Sequence, residues 1–367
     1  MLNFAICMDT PGAQNDGLFD SAWIEMHPGS GWLPFFRQAG RDCGAIQCAS
    51  GDLALARVRS GEWIACETFV IDALDSRVAR DLVAIGCIPF LQTALEAPIY
   101  APLFYDRDYP GRYRYATRYI AKQAQTRSTL CQHFPSFGRT APKRDTGKRL
   151  NRIVCVAANK YRTSDWDISM VKNRASFVKW LKHNIGKAVS PTYRDAIFLS
   201  LHNTRINVLS ELATADILDL YGVDWDNEYL VPNVHREVFR AITPAWKGRA
   251  GHKHELIQQY DFGLCIENME QPGYITEKIF DCLAAGVIPV YLGATDIADF
   301  VPPDTFVDLR ALLKNKIHLP SFLIDMTYAE RERFHRAGIS FICSPEGDKY
   351  SYEGYAAWVA DLAVTLC

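Results

Sequence analysis

The sequence predicts an α/β protein of two domains, each a parallel sheet covered by helices. Three observations carry that expectation. Short apolar runs of strand length alternate with helix signals along the chain, as they do where helices cover both faces of a parallel sheet. A length of 367 residues favours two domains over one. The third lies between Tyr260 and Leu309. There an apolar run, Phe262 to Ile266, ends in Glu267 and Asn268, and a Gly-containing loop leads to Tyr274 and Thr276-Glu277-Lys278. That triplet opens a helix that stops at Gly286, before a second apolar run, Val287 to Leu292. Polar residues thus gather at the carboxyl end of one strand and the amino end of the next helix, the place where open parallel sheets bind ligands.

In chain order, Leu2 to Met8 reads as the first strand. Gly29 to Gly40 has a Gly/Pro-rich start and then Leu33, Phe36 and Ala39 at helical spacing. Glu62 to Ile71 and Ala84 to Leu91 are strand candidates, with helix signals from Ser76 to Leu82 between them. A basic stretch with Pro142 and Gly147, residues 139–162, marks a boundary. It reads either as a solvated linker or as a basic lip near anionic lipid or phosphate. Beyond it, Ile153 to Ala158, Ala196 to Leu201 and Ile217 to Tyr221 are further strand candidates, and Asn159 is another polar residue at a strand end. The expected division is 1–145, 150–340 and a helical segment over 341–367.

The helix start at Thr276 has a chemical reading. Thr276 can cap the first-turn N–H groups, which carry partial positive charge and favour an anion. Lys278 adds a full charge, and Glu277 suits the vicinal hydroxyls of a ribose because a carboxylate accepts two hydrogen bonds at once. A Thr-Glu-Lys triplet alone also begins ordinary solvated helices; the wider spacing is more specific. Phe262, Glu267, Asn268, Tyr274, Thr276, Glu277, Lys278, Gly286, Pro289, Val290, Tyr291, Gly293, Ile297, Phe300 and Pro302 fall in a pattern that resembles the donor-binding signature of the α-1,3/4-fucosyltransferases. Upstream, Asp219-Leu220-Tyr221-Gly222, Trp246-Lys247-Gly248 with Lys253 and Tyr260, and Arg205 at the head of an apolar helix (Ile206, Leu209, Leu212) resemble further motifs of that family. The resemblance is strong from about Arg205 to Leu309 and thin before residue 150.

The resemblance implies the GT-B fold, two Rossmann-like domains facing a central cleft, with acceptor binding in the first and GDP-sugar binding in the second. It implies inverting transfer of fucose from GDP-fucose to a glycan hydroxyl, such as O3 of GlcNAc or glucose, with no cofactor and no metal. The acceptor would be a glycan, either lipid-linked or a surface polysaccharide precursor. Arg205, Lys253, Glu267, Asn268, Tyr274, Thr276, Glu277 and Lys278 would bind the donor, with Arg240 and Arg249 as further candidates for the leaving diphosphate. The general base would be Glu96, in a Glu96-Ala97-Pro98 segment that resembles the family's "E-x-P" near an amino-domain strand end. Glu25 and His27 are weaker candidates. Two other readings stay open: the same fold with another nucleotide sugar, and a non-catalytic nucleotide-sugar or glycan-binding protein.

Composition fits a globular enzyme. The apolar fraction is 49% and the charged fraction 22%, ordinary for soluble domains. A net charge of -2 argues against a nucleic-acid partner, and no apolar run reaches the roughly 18 residues of a membrane span. Met1 to Gly17 lacks the basic start and apolar core of a signal peptide. The eleven cysteines are odd in number and absent from C-x-x-C pairs, which points away from a disulfide framework or zinc and toward a reducing compartment. The expectation is a cytoplasmic enzyme, free or peripheral at the inner face of a membrane. Two acidic triplets, Asp165-Trp166-Asp167 and Asp224-Trp225-Asp226, have the D-x-D form that holds a divalent metal in other glycosyltransferases; the resembled family has no need of one.

Overall fold

β1 (Leu2–Cys7) alternates Phe4 and Ile6 on one face with Ala5 and Cys7 on the other, and both sets are buried. A strand buried on both faces needs helices on both sides, and the computed structural model supplies them. It describes residues 2–44, 46–94, 96–106, 112–139, 149–161 and 168–364. The chain divides into two units, Met1–Ala97 with Arg107–Thr140 and Ser344–Cys367, and Pro98–Asp106 with Ala141–Cys343.

The first unit is built on six parallel strands, β1, β2 (Ile46–Ser50), β3 (Thr68–Ala73), β4 (Ile88–Thr93), β5 (Tyr115–Arg118) and β6 (Thr129–Cys131), in the order β2-β1-β3-β4-β5-β6. On one face Phe4, Phe69 and Phe90 meet at ring separations of 5.5 to 6.1 Å beneath Phe36. Tyr355 and Val359 of the Tyr352–Val364 helix join that layer. The final segment, expected as a separate helical piece over 341–367, is therefore part of the first unit's core from Ser344 onward. On the other face Ala5 and Val70 pack against Ala54, Ala79 and Leu82. Ser76 caps the Arg77–Ala84 helix, accepting from Ala79 N at 3.3 Å.

The second unit has five parallel strands, β7 (Leu150–Val156), β8 (Leu218–Tyr221), β9 (Tyr260–Ile266), β10 (Ile288–Leu292) and β11 (Val307–Asp308), in the order β11-β10-β9-β7-β8. The chain runs from β7 outward to β8, then returns to β7's other side for β9 and continues to β10 and β11. The order reverses between β7 and β9, and a crevice opens at such a point beyond the strands' carboxyl ends.

Three strand expectations are corrected. Ala196–Leu201 is not a strand: residues Pro191–Phe198 form a helix, because Ser190 caps it through Tyr193 N and Pro191 occupies its first turn. Its buried residues Tyr193, Ala196 and Ile197 recur at helical spacing. Glu62–Ile71 becomes strand only from Thr68, after a 3-10 turn at Ala65–Glu67. Ala84 ends a helix, and strand begins at Ile88. In the Leu33–Cys43 helix, Ala39 is exposed and Gly40 takes the inward position expected of it.

Candidate active site

β9 delivers Glu267 and Asn268 to the reversal point, and the Glu277–Ala284 helix begins just beyond. That helix presents Ile279, Phe280, Cys282 and Leu283 to the core, which fixes where its amino end points. Around this end lies a cavity of about 390 Å³. Its walls come from Val156 to Ala158 after β7, Gly222 and Val223 after β8, and Asn268 after β9. Its charged lining is Lys160, Arg205, Arg249, Lys253, Glu277 and Lys278: five cations and one carboxylate.

Arg205 sits in the first turn of the His202–Thr214 helix and is buried. Its Nη2 donates to the carbonyls of Ile266 at 2.7 Å and Glu267 at 2.8 Å and to Asn268 Oδ1 at 3.0 Å. No carboxylate among the described residues pairs with it; its other partner is the His202 ring, Nη1 to Nδ1 at 3.4 Å. An anion in the cavity would complete it.

Glu267, Thr276 and Tyr274 are behind the wall rather than in it. Glu267 is fully buried, and its carboxylate accepts from Thr276 N at 2.8 Å, from Thr276 Oγ1 at 2.8 Å and from Lys278 Nζ at 2.8 Å. The expected capping by Thr276 is corrected here: its side chain makes no cap bond to the helix and turns to Glu267. The buried carboxylate is the stronger acceptor and draws the hydroxyl to itself. Tyr274 is buried and receives Asn268 Nδ2 at 3.3 Å. A Cβ at Gly293 would come within 2.5 Å of both Glu267 Cγ and Tyr291 Oη, so the carboxylate's seat requires glycine there.

Lys278 is held up by charge. Burial alone would lower its pKa, but Glu267 and Glu277 beside it raise it, so the ammonium is kept. Lys253 behaves alike: burial opposes its charge, and its ion pair with Asp281, with Glu277 nearby, overcomes this. Burial would raise Glu277, yet Lys278 and Lys253 pull it down from 4.5 to about 2. A carboxylate so depressed when folded stabilises the fold above pH 4.5 and loses that contribution as pH falls toward 2. Part of the acid destabilisation between those values, up to about 3 kcal/mol, is expected to disappear in Glu277→Gln. Urea midpoints at pH 2.5, 3.5 and 5 for the two proteins check this, and parallel pH curves would remove the assignment.

Arg240 lies elsewhere: its guanidinium forms an exposed fork with Glu228, Nε to Oε2 at 2.5 Å, and takes no part in the lining. The Asp219-Leu220-Tyr221-Gly222 and Trp246-Lys247-Gly248 motifs brace each other. Gly222 N donates to Gly248 O at 2.8 Å, Lys247 N to Leu220 O at 2.8 Å and Trp246 Nε1 to Gly222 O at 3.0 Å. Gly222 has φ 140°, and a Cβ there would lie 1.9 Å from Ala157 O. Asp219 is drawn inward by Tyr260 Oη at 2.9 Å and Arg152 at 3.1 Å. The loop carrying Arg249 is thereby pinned beside the cavity.

In the second D-x-D triplet, Trp225 is buried, stacked on Phe239 at 5.9 Å and bonded to Ala157 O at 2.6 Å, with Asp224 and Asp226 exposed on either side. That pattern serves packing. No group of three or more His, Cys, Asp or Glu side chains gathers among the described residues. The first triplet and residues 140–148 of the basic stretch lie outside the described residues.

In the first unit, Glu96 is half-buried three residues beyond the end of β4. Glu25 is exposed on the short Ser21–Met26 helix. His27 stacks on Trp23 at 4.2 Å and bonds Trp23 O through Nδ1 at 2.8 Å. Lys160 and Asp281 were missed by sequence reasoning. Lys160 had a signal in its place just after the β7 strand end; Asp281 had none, because its pairing with Lys253 is tertiary.

Residues 198–333 match the family described as glycosyltransferase family 10 (fucosyltransferase), carboxyl-terminal domain. That match lies wholly within the second unit and spans 136 of the 367 residues. Every cavity-lining residue from Arg205 onward falls inside that family 10 match. An α-(1,4)-fucosyltransferase of Arabidopsis thaliana is 44% identical over 57 residues, 16% of this chain and 14% of that protein. The α-(1,3)-fucosyltransferase FucT of Helicobacter pylori is 41% identical over 59 residues, 16% of this chain and 12% of that protein. The GDP-fucose protein O-fucosyltransferase 3 of Bos taurus is 29% identical over 142 residues, 39% of this chain and 28% of that protein. The chain thus matches less than a third of the length of each of these relatives. Over the whole chain the fold is that of GT-B glycosyltransferases: HepE of Anabaena, crystallised with UDP and glucose, superposes with a TM-score of 0.52 at 10% identity, covering 100% of both chains. A glycosyltransferase of Rickettsia africae gives 0.52 at 9% identity, covering 98% of this chain and 97% of that one.

Proposed function

We propose that the protein transfers L-fucose from GDP-fucose to a hydroxyl of a glycan, O3 of a GlcNAc or glucose residue, with inversion at the anomeric carbon and without a metal ion. The observation that carries this reading is the cavity at the β7–β9 reversal, where five cations, Arg205 among them without a carboxylate partner, surround one ionised glutamate. A diphosphate supplies the negative charge such a lining lacks, and Glu277 offers a ribose two acceptor oxygens. The family 10 match supports fucose as the sugar, and the similarity to GDP-fucose protein O-fucosyltransferase 3 supports guanosine as the nucleoside.

In the proposed step the acceptor oxygen forms a bond to the anomeric carbon as the bond from that carbon to the β-phosphate oxygen breaks. The electron pair leaves with GDP, where Arg205, Lys278 and the neighbouring cations stabilise the growing charge. Glu96 takes the acceptor's proton. Glu267 and Thr276 act as positioning residues, holding Lys278 and the first turn of its helix. The nine cysteines described as free thiols fit a reducing compartment, and we place the activity in the cytoplasm. No described helix is long and apolar enough to cross a membrane.

Calorimetry with GDP-fucose, GDP-mannose, UDP-galactose and GDP, each with and without EDTA, tests the donor. Micromolar binding of GDP-fucose that survives EDTA is the expected result. Preference for the uridine sugar would overturn the donor, and abolition by EDTA would overturn the metal-free mechanism. An NMR assignment of the product anomer tests the stereochemistry; a product that keeps the donor's configuration would overturn the inversion.

A further inference from the structure

The Arg174–Val189 helix lies outside the family 10 match and takes no part in the donor cavity. Its 16 residues include Arg174, Lys179, Lys182 and Lys187 and no acidic residue, and Lys172 stands just before it. Asn173 and Ser176 close a capping box at its start. One face is inward: His183 is buried and its Nδ1 meets Tyr193 Oη at 2.8 Å. The opposite face is apolar and exposed, and at its carboxyl end Ile185 and Val189 also edge a cavity shared with Ile99, Tyr100 and Pro102. Phe177, Val178, Leu181, Ile185 and Val189 are 40 to 67% exposed, and their spacing at about 100° per residue puts them on one stripe. Lys182 and Lys179 border that stripe on one side.

We propose that this helix is a docking surface for an anionic phospholipid layer, lying flat with the Phe177–Val189 stripe in the acyl boundary and its lysines on the headgroups. Two properties select that occupant. A contiguous stripe of large apolar side chains is costly to leave in water, and a helix with four cations and no carboxylate of its own favours negative charge. A lipid interface bearing anionic headgroups meets both demands with one surface. A nucleic acid meets only the second. A second copy of the chain on the same face would set lysines against lysines. With a net charge of -2 for the whole chain, the attraction is local to this face and orients the molecule. The proposal stands independently of the donor reading.

The test is co-sedimentation of the full chain with vesicles of phosphatidylcholine alone and of phosphatidylcholine with about a quarter phosphatidylglycerol. The expected result is binding to the second and not the first. The double variant Lys179→Glu/Lys182→Glu should weaken partitioning by roughly tenfold or more. Leu181→Ser/Ile185→Ser should weaken it by a similar factor at about 0.1 M salt, because the apolar contact and the headgroup attraction are both needed. Urea unfolding midpoints, unchanged in both variants, report that they fold. Equal partitioning of the unaltered protein on both vesicles overturns the proposal without any variant. So does full binding by the serine variant, which would mean a polyanion site only, or a concentration-dependent dimer that the serine variant abolishes while vesicles are ignored.

Discussion

Replacing Glu96 by Gln is expected to lower kcat by roughly two to four orders of magnitude while leaving GDP-fucose affinity within about twofold. The amide keeps the shape of the carboxylate and its hydrogen-bonding reach but cannot accept a proton. Glu96 is half-buried past the end of β4, so the change removes one charge from a partly shielded position and should leave the fold intact. Glu25→Gln, on an exposed turn of the Ser21–Met26 helix, is the matched control and should leave kcat alone. Turnover and calorimetry on both variants decide the matter. If the Glu96 variant turns over normally, the base is another group.

Glu267→Ala is expected to have the largest effect on stability, about 3–5 kcal/mol. The carboxylate is fully buried and satisfies Thr276 N, Thr276 Oγ1 and Lys278 Nζ at once. Its removal leaves a mostly buried ammonium with only the more distant Glu277 carboxylate, at 3.7 Å, and an orphaned N–H at the helix start. Saturating GDP should recover part of the loss, because the diphosphate returns negative charge to the same corner. Urea unfolding with and without GDP checks both parts. A variant within about 0.5 kcal/mol of the original protein would show that the site relaxes freely and that Glu267 is not its anchor.

The site was legible where its signals were local. β9, the Thr276 helix start and the stop at Gly286 are written in adjacent residues, and the parallel sheet of the second unit follows from them. What was not legible is the direction in which short polar side chains turn. Thr276 next to an apolar run looks like a cap, and only the arrival of Glu267 beside it in space gives its hydroxyl a better partner. Lys278 likewise reads as an exposed phosphate ligand until the same carboxylate is placed 2.8 Å away. Ala196–Leu201 failed for a related reason. A six-residue apolar run fits a strand or a buried helix face equally, and the arbiters, Ser190 and Pro191, lie upstream of the run. Arg240 and Arg249 have the same chemistry in sequence, and only the Glu228 fork separates them.

The first unit is assembled from three stretches of chain, the last of which supplies Tyr355 and Val359 to the layer over β1, β3 and β4. Until that last stretch is in place, the part of this face that Tyr355 and Val359 cover stays open beside the Leu33–Cys43 helix, while all residues of the second unit precede Ser344. Along the chain, the unit that begins first is thus the one completed last. Removing Ser344–Cys367 would spare every residue that lines the cavity at the β7–β9 reversal but would strip Trp32 of Tyr355, its neighbour at 5.1 Å, so the two units differ in what each can lose.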